Sequence, residues 1–270
     1  MIKQKIQIRK LSRRKFLIKM VLFFLTAISV ITLLKIDLPK NGIVTAFSEF
    51  CTYASKMFFN AKLSGMYSFK ELLFSLFVSL SLAVLTTLFG IVFAFFLGIA
   101  ASENLSNKIV VNCIRGLTAF IRSVPTIIWV LIFSVVANLG AEAAILGMSF
   151  HSTAYLVKGF SESFEQIDKK TVEALKACGA SYTEIITQAV LPSSINNLIS
   201  WSFFRFEINF GNAVAVGAAA GAGGIGYELF MAGNLNFNMS EVGVISYMIF
   251  GTAIILEFCS TQIRKKLRKE

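Results

Sequence analysis

Two stretches of this chain, Phe16–Leu34 and Leu72–Ala101, run for 19 and 30 residues with a single charge, Lys19, between them. A helix needs roughly 20 apolar residues to cross the hydrocarbon core of a bilayer. Inside lipid every backbone N–H and C=O must be bonded within the protein, so runs of this length fold as helices. Four further apolar runs follow, and six spans are expected in all: Phe16–Ile36, Leu72–Ala101, Ile109–Asn138, Glu142–Phe160, Ser194–Ala219 and Glu241–Cys259. The fold class is all-α, a polytopic membrane protein with about six transmembrane helices. Composition agrees: 56% of residues are hydrophobic, above the share usual in a soluble domain.

The net charge of +11 would suggest a nucleic-acid partner if it were spread over a face, but it sits at the ends. Residues 1–19 hold eight Lys and Arg and no acid, and residues 264–270 hold five basic residues and one acid. Basic segments beside apolar spans mark the cytoplasmic side, so both termini are expected there, which an even number of spans permits. Lipid headgroups account for the charge, and no nucleic-acid partner is expected. The first apolar run is longer than a signal-peptide core and lacks a small-residue cleavage site, so it reads as a retained signal-anchor helix. Cys51, Cys113, Cys178 and Cys259 have neither disulfide-framework nor metal-site spacing.

The interruption between spans 4 and 5 is polar. Residues 161–193 read as two short helices forming an elbow. The first covers Asp168–Cys178 and stops at Gly179. Ser181 caps the second, and Pro192 ends it and restarts the chain into span 5. With both termini inside, the elbow faces the cytoplasm. Small residues such as Ala174, Ala177 and Gly179 admit a close partner surface, and Glu173 gives that surface one fixed charge.

Span 3 is too long for one upright helix and carries Pro125 just after Arg122. A short helix at the cytoplasmic side up to Arg122, with the main span after the proline, is expected. His151, Arg205, Glu207 and Asn209 lie inside spans. Ionisable groups there are costly and turn to a bundle interior or a water-filled path. Arg205 and Asn209, four apart, share a helix face, while Glu207 points elsewhere. Two roles are open for these groups: lining or gating a path, or structural contacts between helices. Gly221–Gly226 fits G-x-G-x-x-G, but an apolar helix precedes it where a dinucleotide site needs a strand. It reads as a tight turn, with Gly221, Gly223 and Gly224 beside the pathway. No G-x-x-x-x-G-K-[ST] occurs.

Glu173-Ala174, then Gly179, then Leu191-Pro192 resembles, in residue types and spacing, the EAA loop of ABC importer permeases. Leu175 stands at that loop's second alanine and Ala189 at its isoleucine. More of the chain, about residues 70–260, resembles the phosphonate-type branch: Arg122-Ser-Val-Pro125, His151-Ser152-Thr153 with Lys158, Arg205-Phe206-Glu207-Ile208-Asn209, and Gly221-Ala222-Gly223-Gly224-Ile225-Gly226. Gly211 and Asn212 stand where that branch usually carries a basic residue.

The resemblance implies a type I ABC importer permease fold whose elbow forms cytoplasmic coupling helices. Residues 1–70 would be tail, anchor helix and extracytoplasmic segment. Residues 71–263 would form the permease domain with coupling loop 161–193, and residues 264–270 a basic tail. Glu173, Ala174, Gly179, Leu191 and Pro192 would couple to an ATPase subunit. Arg122, His151, Arg205, Glu207, Asn209, Gly221, Gly223 and Gly224 would line or gate the path. The implied partners are ABC ATPase subunits, an extracytoplasmic substrate-binding protein, a second permease copy or homologue, and the lipid bilayer of a bacterial inner membrane. The chain would carry no cofactor and catalyse nothing, since ATP would be bound and hydrolysed by the partner ATPase. The implied cargo is phosphonate, phosphate or phosphite. Alternatives are import of another small solute, or a membrane scaffold that keeps the permease fold and moves nothing.

Overall fold

The computed structural model describes residues 13–35 and 42–267. The outermost basic residues, before Arg13 and after Leu267, lie outside them. The described residues are helical, without strands, and form two compact units. The first, Met1–Tyr53, holds α1 (Arg13–Lys35) and most of α2 (Ile43–Phe59). No side chain of α1 is buried, and Thr26, Ser29 and Thr32 return their hydroxyls to their own helix carbonyls at 2.8–2.9 Å. That is how a polar side chain is satisfied on a lipid-facing helix.

The second unit, Ala54–Glu270, is a helical bundle. Its elements are α3 (Phe69–Ala100), α4 (Lys108–Ser123), α5 (Thr126–Ala137), α6 (Ala141–Phe164), α7 (Lys169–Ala177), α8 (Tyr182–Glu184), α9 (Leu191–Ala220), α10 (Gly224–Phe230) and α11 (Met239–Leu267). The α3 helix starts at a capping box, in which the Ser68 hydroxyl accepts from Glu71 N and the Glu71 carboxylate accepts from Ser68 N. Ser75, Ser79, Ala83, Thr87, Gly90, Ala94 and Gly98 recur along its buried face, and such small residues let α6 approach closely. A Cβ on Gly90 would stand 2.9 Å from Ser152 Cβ.

Among the described residues, three helices, α1, α3 and α11, are long and apolar enough to cross a membrane, and two bent pairs raise the number to five. The expected fourth span, α6, is less apolar than these, although its 24 residues extend about 36 Å. It lies among α3, α4, α5 and α9 with more than half its residues buried. The protein-facing side of such a helix can carry Ser and His.

Span 3 differs from expectation. The bend at Pro125 is 95°, and the α5 helix after it has only 12 residues, about 18 Å, too short to cross alone. Pro125 has no N–H for the Ile121 carbonyl four residues back. The Trp129 indole N–H donates to that carbonyl at 2.9 Å instead, so the break is closed by a side chain.

Pro192 does not stop a helix either. The path from Tyr182 to Ala220 is continuous, because residues Ile185–Val190 adopt a π-helical winding in which Leu191 N donates to Ile186 O. The wider turn carries the proline ring clear of the preceding carbonyls. At the far end of α9, Gly221 has φ 63° and Gly223 φ 77°, the left-handed region open to glycine. These two let α10 fold back on α9. Gly226 then lies against the Val214 carbonyl, where any Cβ would overlap it, and Ile225 N donates to Ser79 Oγ of α3 at 3.0 Å. The α11 helix extends past the expected span and includes Arg264, Lys265 and Lys266.

Candidate functional site

A polar cluster sits where α3, α6 and α9 meet. Asn209 of α9 is fully buried and spends its amide on three hydroxyls. Its Nδ2 donates to Thr87 Oγ1 at 2.8 Å, Ser152 Oγ at 2.9 Å and Thr86 Oγ1 at 3.3 Å, and Oδ1 lies 3.1 Å from Ser152 Oγ. Arg205, one turn earlier, is 1% exposed. Its Nε donates to Ser152 Oγ at 3.1 Å, its Nη2 lies 3.0 Å from His151 Nδ1, and its Cζ stands 4.9 Å from the centre of the Tyr155 ring. His151 is half-buried and its Nδ1 is also 3.1 Å from Thr126 Oγ1. That contact fixes the first turn of α5, just past the bend, against α6.

No carboxylate lies within 4.0 Å of Arg205 among the described residues. A buried guanidinium held by neutral groups and a ring face is an uncompensated positive charge, which in low dielectric attracts an anion strongly. Arg122 adds a second positive charge near His151, with its backbone at the imidazole.

Glu207 is turned away from this cluster. It faces α11, where Arg264 Nη2 lies 3.9 Å from its Oε2 and stacks over Phe204. Thus Arg205, Asn209, His151 and Arg122 come together, and Glu207 does not join them. Gly221 is exposed at the hairpin tip, Gly223 is half-buried, and Gly224 is buried against Ser75 and Ser79 of α3.

The elbow forms the second site. Val172 of α7 and Ile185 are buried in a core with Leu105, Phe160, Phe164 and Leu198. The loop after α3 holds its root: Asn104 Nδ2 donates to the carbonyls of Phe164 at 3.0 Å and Ile167 at 2.9 Å. Arg115 binds Glu165, Glu103 and the Ala101 carbonyl. Outward from this anchored base, Glu173, Ala174, Gly179 and Pro192 are exposed, and Leu191 is half-buried. Gly179 takes φ 90° at the corner. Asp168 caps α7, and Ser181 with Glu184 forms a capping box at α8. The hydrogen bonds from Ser181, first through its side chain, hold the Glu184 carboxyl below its ordinary range.

Sequence reasoning picked out Arg205 and Asn209 but not Thr86, Thr87 or Tyr155, nor the Arg115–Glu165 clasp. The adjacent threonines in a largely apolar span were a signal, but one sequence does not tell which helix they face.

Residues 90–265 match the model of the family described as binding-protein-dependent transport system inner membrane component. The chain is 30% identical over 192 residues to a phosphite transport system permease protein of Stutzerimonas stutzeri, covering 70% of this chain and 69% of that protein. It is 30% identical over 191 residues to a phosphate-import permease protein of Mycolicibacterium smegmatis, covering 70% and 35%. It is 38% identical over 121 residues to a putative cryptic phosphonate transport system permease protein of Escherichia coli, covering 45% and 98%. Among solved structures, an inward-facing methionine ABC transporter chain superposes with a TM-score of 0.65 at 19% identity, covering 74% of this chain and 99% of that one. That likeness is one of fold.

Proposed function

This chain belongs to the family of binding-protein-dependent transport system inner membrane components, and from that premise we infer that it is the permease subunit of an ATP-driven importer of phosphorus oxyanions: phosphite, phosphate or a phosphonate. The chain is a transport subunit and not an enzyme. ATP would be hydrolysed by separate ATPase subunits docked on the elbow through Glu173, Ala174, Gly179, Leu191 and Pro192. A binding protein would deliver cargo on the opposite side, and a second permease, identical or homologous, would complete the path. Both termini and the elbow would then lie in the cytoplasm.

The observation that carries the cargo reading is Arg205, buried with no carboxylate within 4.0 Å among the described residues. With Arg122 it gives the interior a positive potential suited to a small oxyanion passing by, while Ser152, Thr86 and Thr87 hold Arg205 and Asn209 in place. The names of the relatives support the same class of cargo. Positive potential without a fixed carboxylate favours entry of an anion.

Uptake of labelled phosphite, phosphate and methylphosphonate, in cells with and without this chain, tests the reading. At least one uptake is expected to depend on the chain and on ATP. Unchanged uptake of all three, with ATPase subunits still co-purifying, would favour the scaffold alternative; import of an unrelated solute would overturn the oxyanion assignment alone.

A further inference from the structure

A second basic site lies between α4 and α6 and shares Arg122 with the Arg205 cluster. It is a cavity of about 270 Å³ lined by Arg115, Thr118, Arg122, Lys158, Ser161 and Glu162, among others. Arg115 is committed to Glu165 and Glu103. Lys158 is paired only with Glu162 on its own helix, 3.7 Å away and half-exposed, a weak tie. Arg122 spends Nε on the Thr118 carbonyl at 3.2 Å and has no carboxylate within 4.0 Å among the described residues. Two cationic groups therefore face one small cavity with little to neutralise them.

Thr118 also lines a second opening, an apolar groove of about 570 Å³ between α3, α4, α5 and α6. Leu117, Phe93, Leu97, Leu146 and Phe150 form much of its wall and are exposed. On α6 the groove runs from Ile145 to Ala154, and Lys158 follows one turn later, toward the elbow. Nine residues of helix rise about 14 Å, close to half of the ~30 Å hydrocarbon core. The pair of openings thus offers an apolar trough about one leaflet deep, ending in a cationic cup.

We propose that this trough and cup bind one anionic phospholipid from the leaflet on the elbow side, with its phosphodiester at Arg122 and Lys158 and an acyl chain along Leu117, Leu146 and Phe150. Charge complementarity selects the headgroup, as basic pockets between membrane helices do, and the length of the trough selects a lipid over a free anion. The site touches both the Pro125 bend and the root of the elbow, so its occupant would bear on the two regions joined through α6. Arg122 serves both this site and the cargo reading, and lipid retention is read without transport, so the two can fail separately.

Native mass spectrometry of the full chain purified in mild detergent tests it, with dioleoyl phosphatidylglycerol, dioleoyl phosphatidylcholine and inorganic phosphate as probes. One phosphatidylglycerol per chain should be retained roughly tenfold or more in preference to phosphatidylcholine, and excess inorganic phosphate should not displace it. Arg122→Gln combined with Lys158→Gln should lower phosphatidylglycerol retention to the phosphatidylcholine level. Leu146→Trp, which fills the trough and leaves the charges, should weaken retention of both lipids; it decides the matter if the double variant does not fold. Equal retention of the two lipids, displacement by phosphate, or full retention in the Leu146→Trp variant would overturn the proposal. So would a cysteine at Leu117 that crosslinks two copies of the chain, since a second copy would then cover the groove.

Discussion

Arg205 and Asn209 show how one helical turn can organise a membrane interior. Four residues apart on α9, both reach Ser152 of α6, and Asn209 reaches on to Thr86 and Thr87 of α3. Replacing Asn209 by Ala would leave three buried hydroxyls short of a partner, at a cost of about 1–3 kcal/mol; a lowered thermal midpoint of the purified chain is the expected reading. Arg205→Lys keeps the charge and loses the fork that bonds Ser152 and His151 together. Transport should fall by about tenfold or more while expression and folding persist; undiminished uptake would remove Arg205 from the path. Trp129 belongs to the same scale. Its indole replaces the N–H that Pro125 lacks, so Trp129→Phe should destabilise the bend while keeping its ring contacts with Phe120 and Phe150. The spacing of Arg205 and Asn209 was legible in the sequence because both lie on one helix. Their partners were not, since a hydrogen bond across 122 positions leaves no local pattern.

Among elements, the elbow was the most readable. Its caps, its glycine corner and its exposed small residues all follow from local chemistry. The error at Pro192 came from the same source: proline predicts a stop, and only the winding of the preceding turn shows how the helix accommodates it. The box between Ser181 and Glu184 has a pH signature. The Glu184 carboxyl is held below its ordinary value of 4.5, so its contribution is fully present above that value and is lost as pH falls through the depressed one. Amide exchange around Ser181–Glu184, compared at constant intrinsic rate, should rise with acidification in this chain and be pH-independent in Glu184→Gln. The hairpin between α9 and α10 depends on contact rather than on caps. Gly226→Ala would force a methyl into the Val214 carbonyl, which should cost about 1–3 kcal/mol or more and lower the thermal midpoint without touching the elbow.

For the whole molecule, the apolar runs marked α6 as one span among six but not its place at the centre of the bundle. The α6 helix is central and partly polar, and its role as the hub of the bundle lay in arrangement rather than in composition. The division between an anchored base and an exposed outer face at the elbow gives the assembly-level test. Glu173 is mostly exposed, with only a 3.9 Å contact to Lys169, so Glu173→Ala should leave the fold intact. It should weaken co-purification of the ATPase or uncouple ATP hydrolysis from uptake; full coupling in that variant would count against the docking face.

The unbroken path from Tyr182 to Ala220 also has a mechanical meaning. It is a rod of roughly 55–60 Å, clamped part-way by the Asn209 and Arg205 hydrogen bonds. About two thirds of its length lies on the elbow side of that clamp and one third on the side of the glycine hairpin. Such a rod behaves as a seesaw with unequal arms. A push delivered at Tyr182 would reappear at Gly221 reversed in direction and about half as large, so a wide swing at the elbow becomes a small, forceful movement at the opposite end.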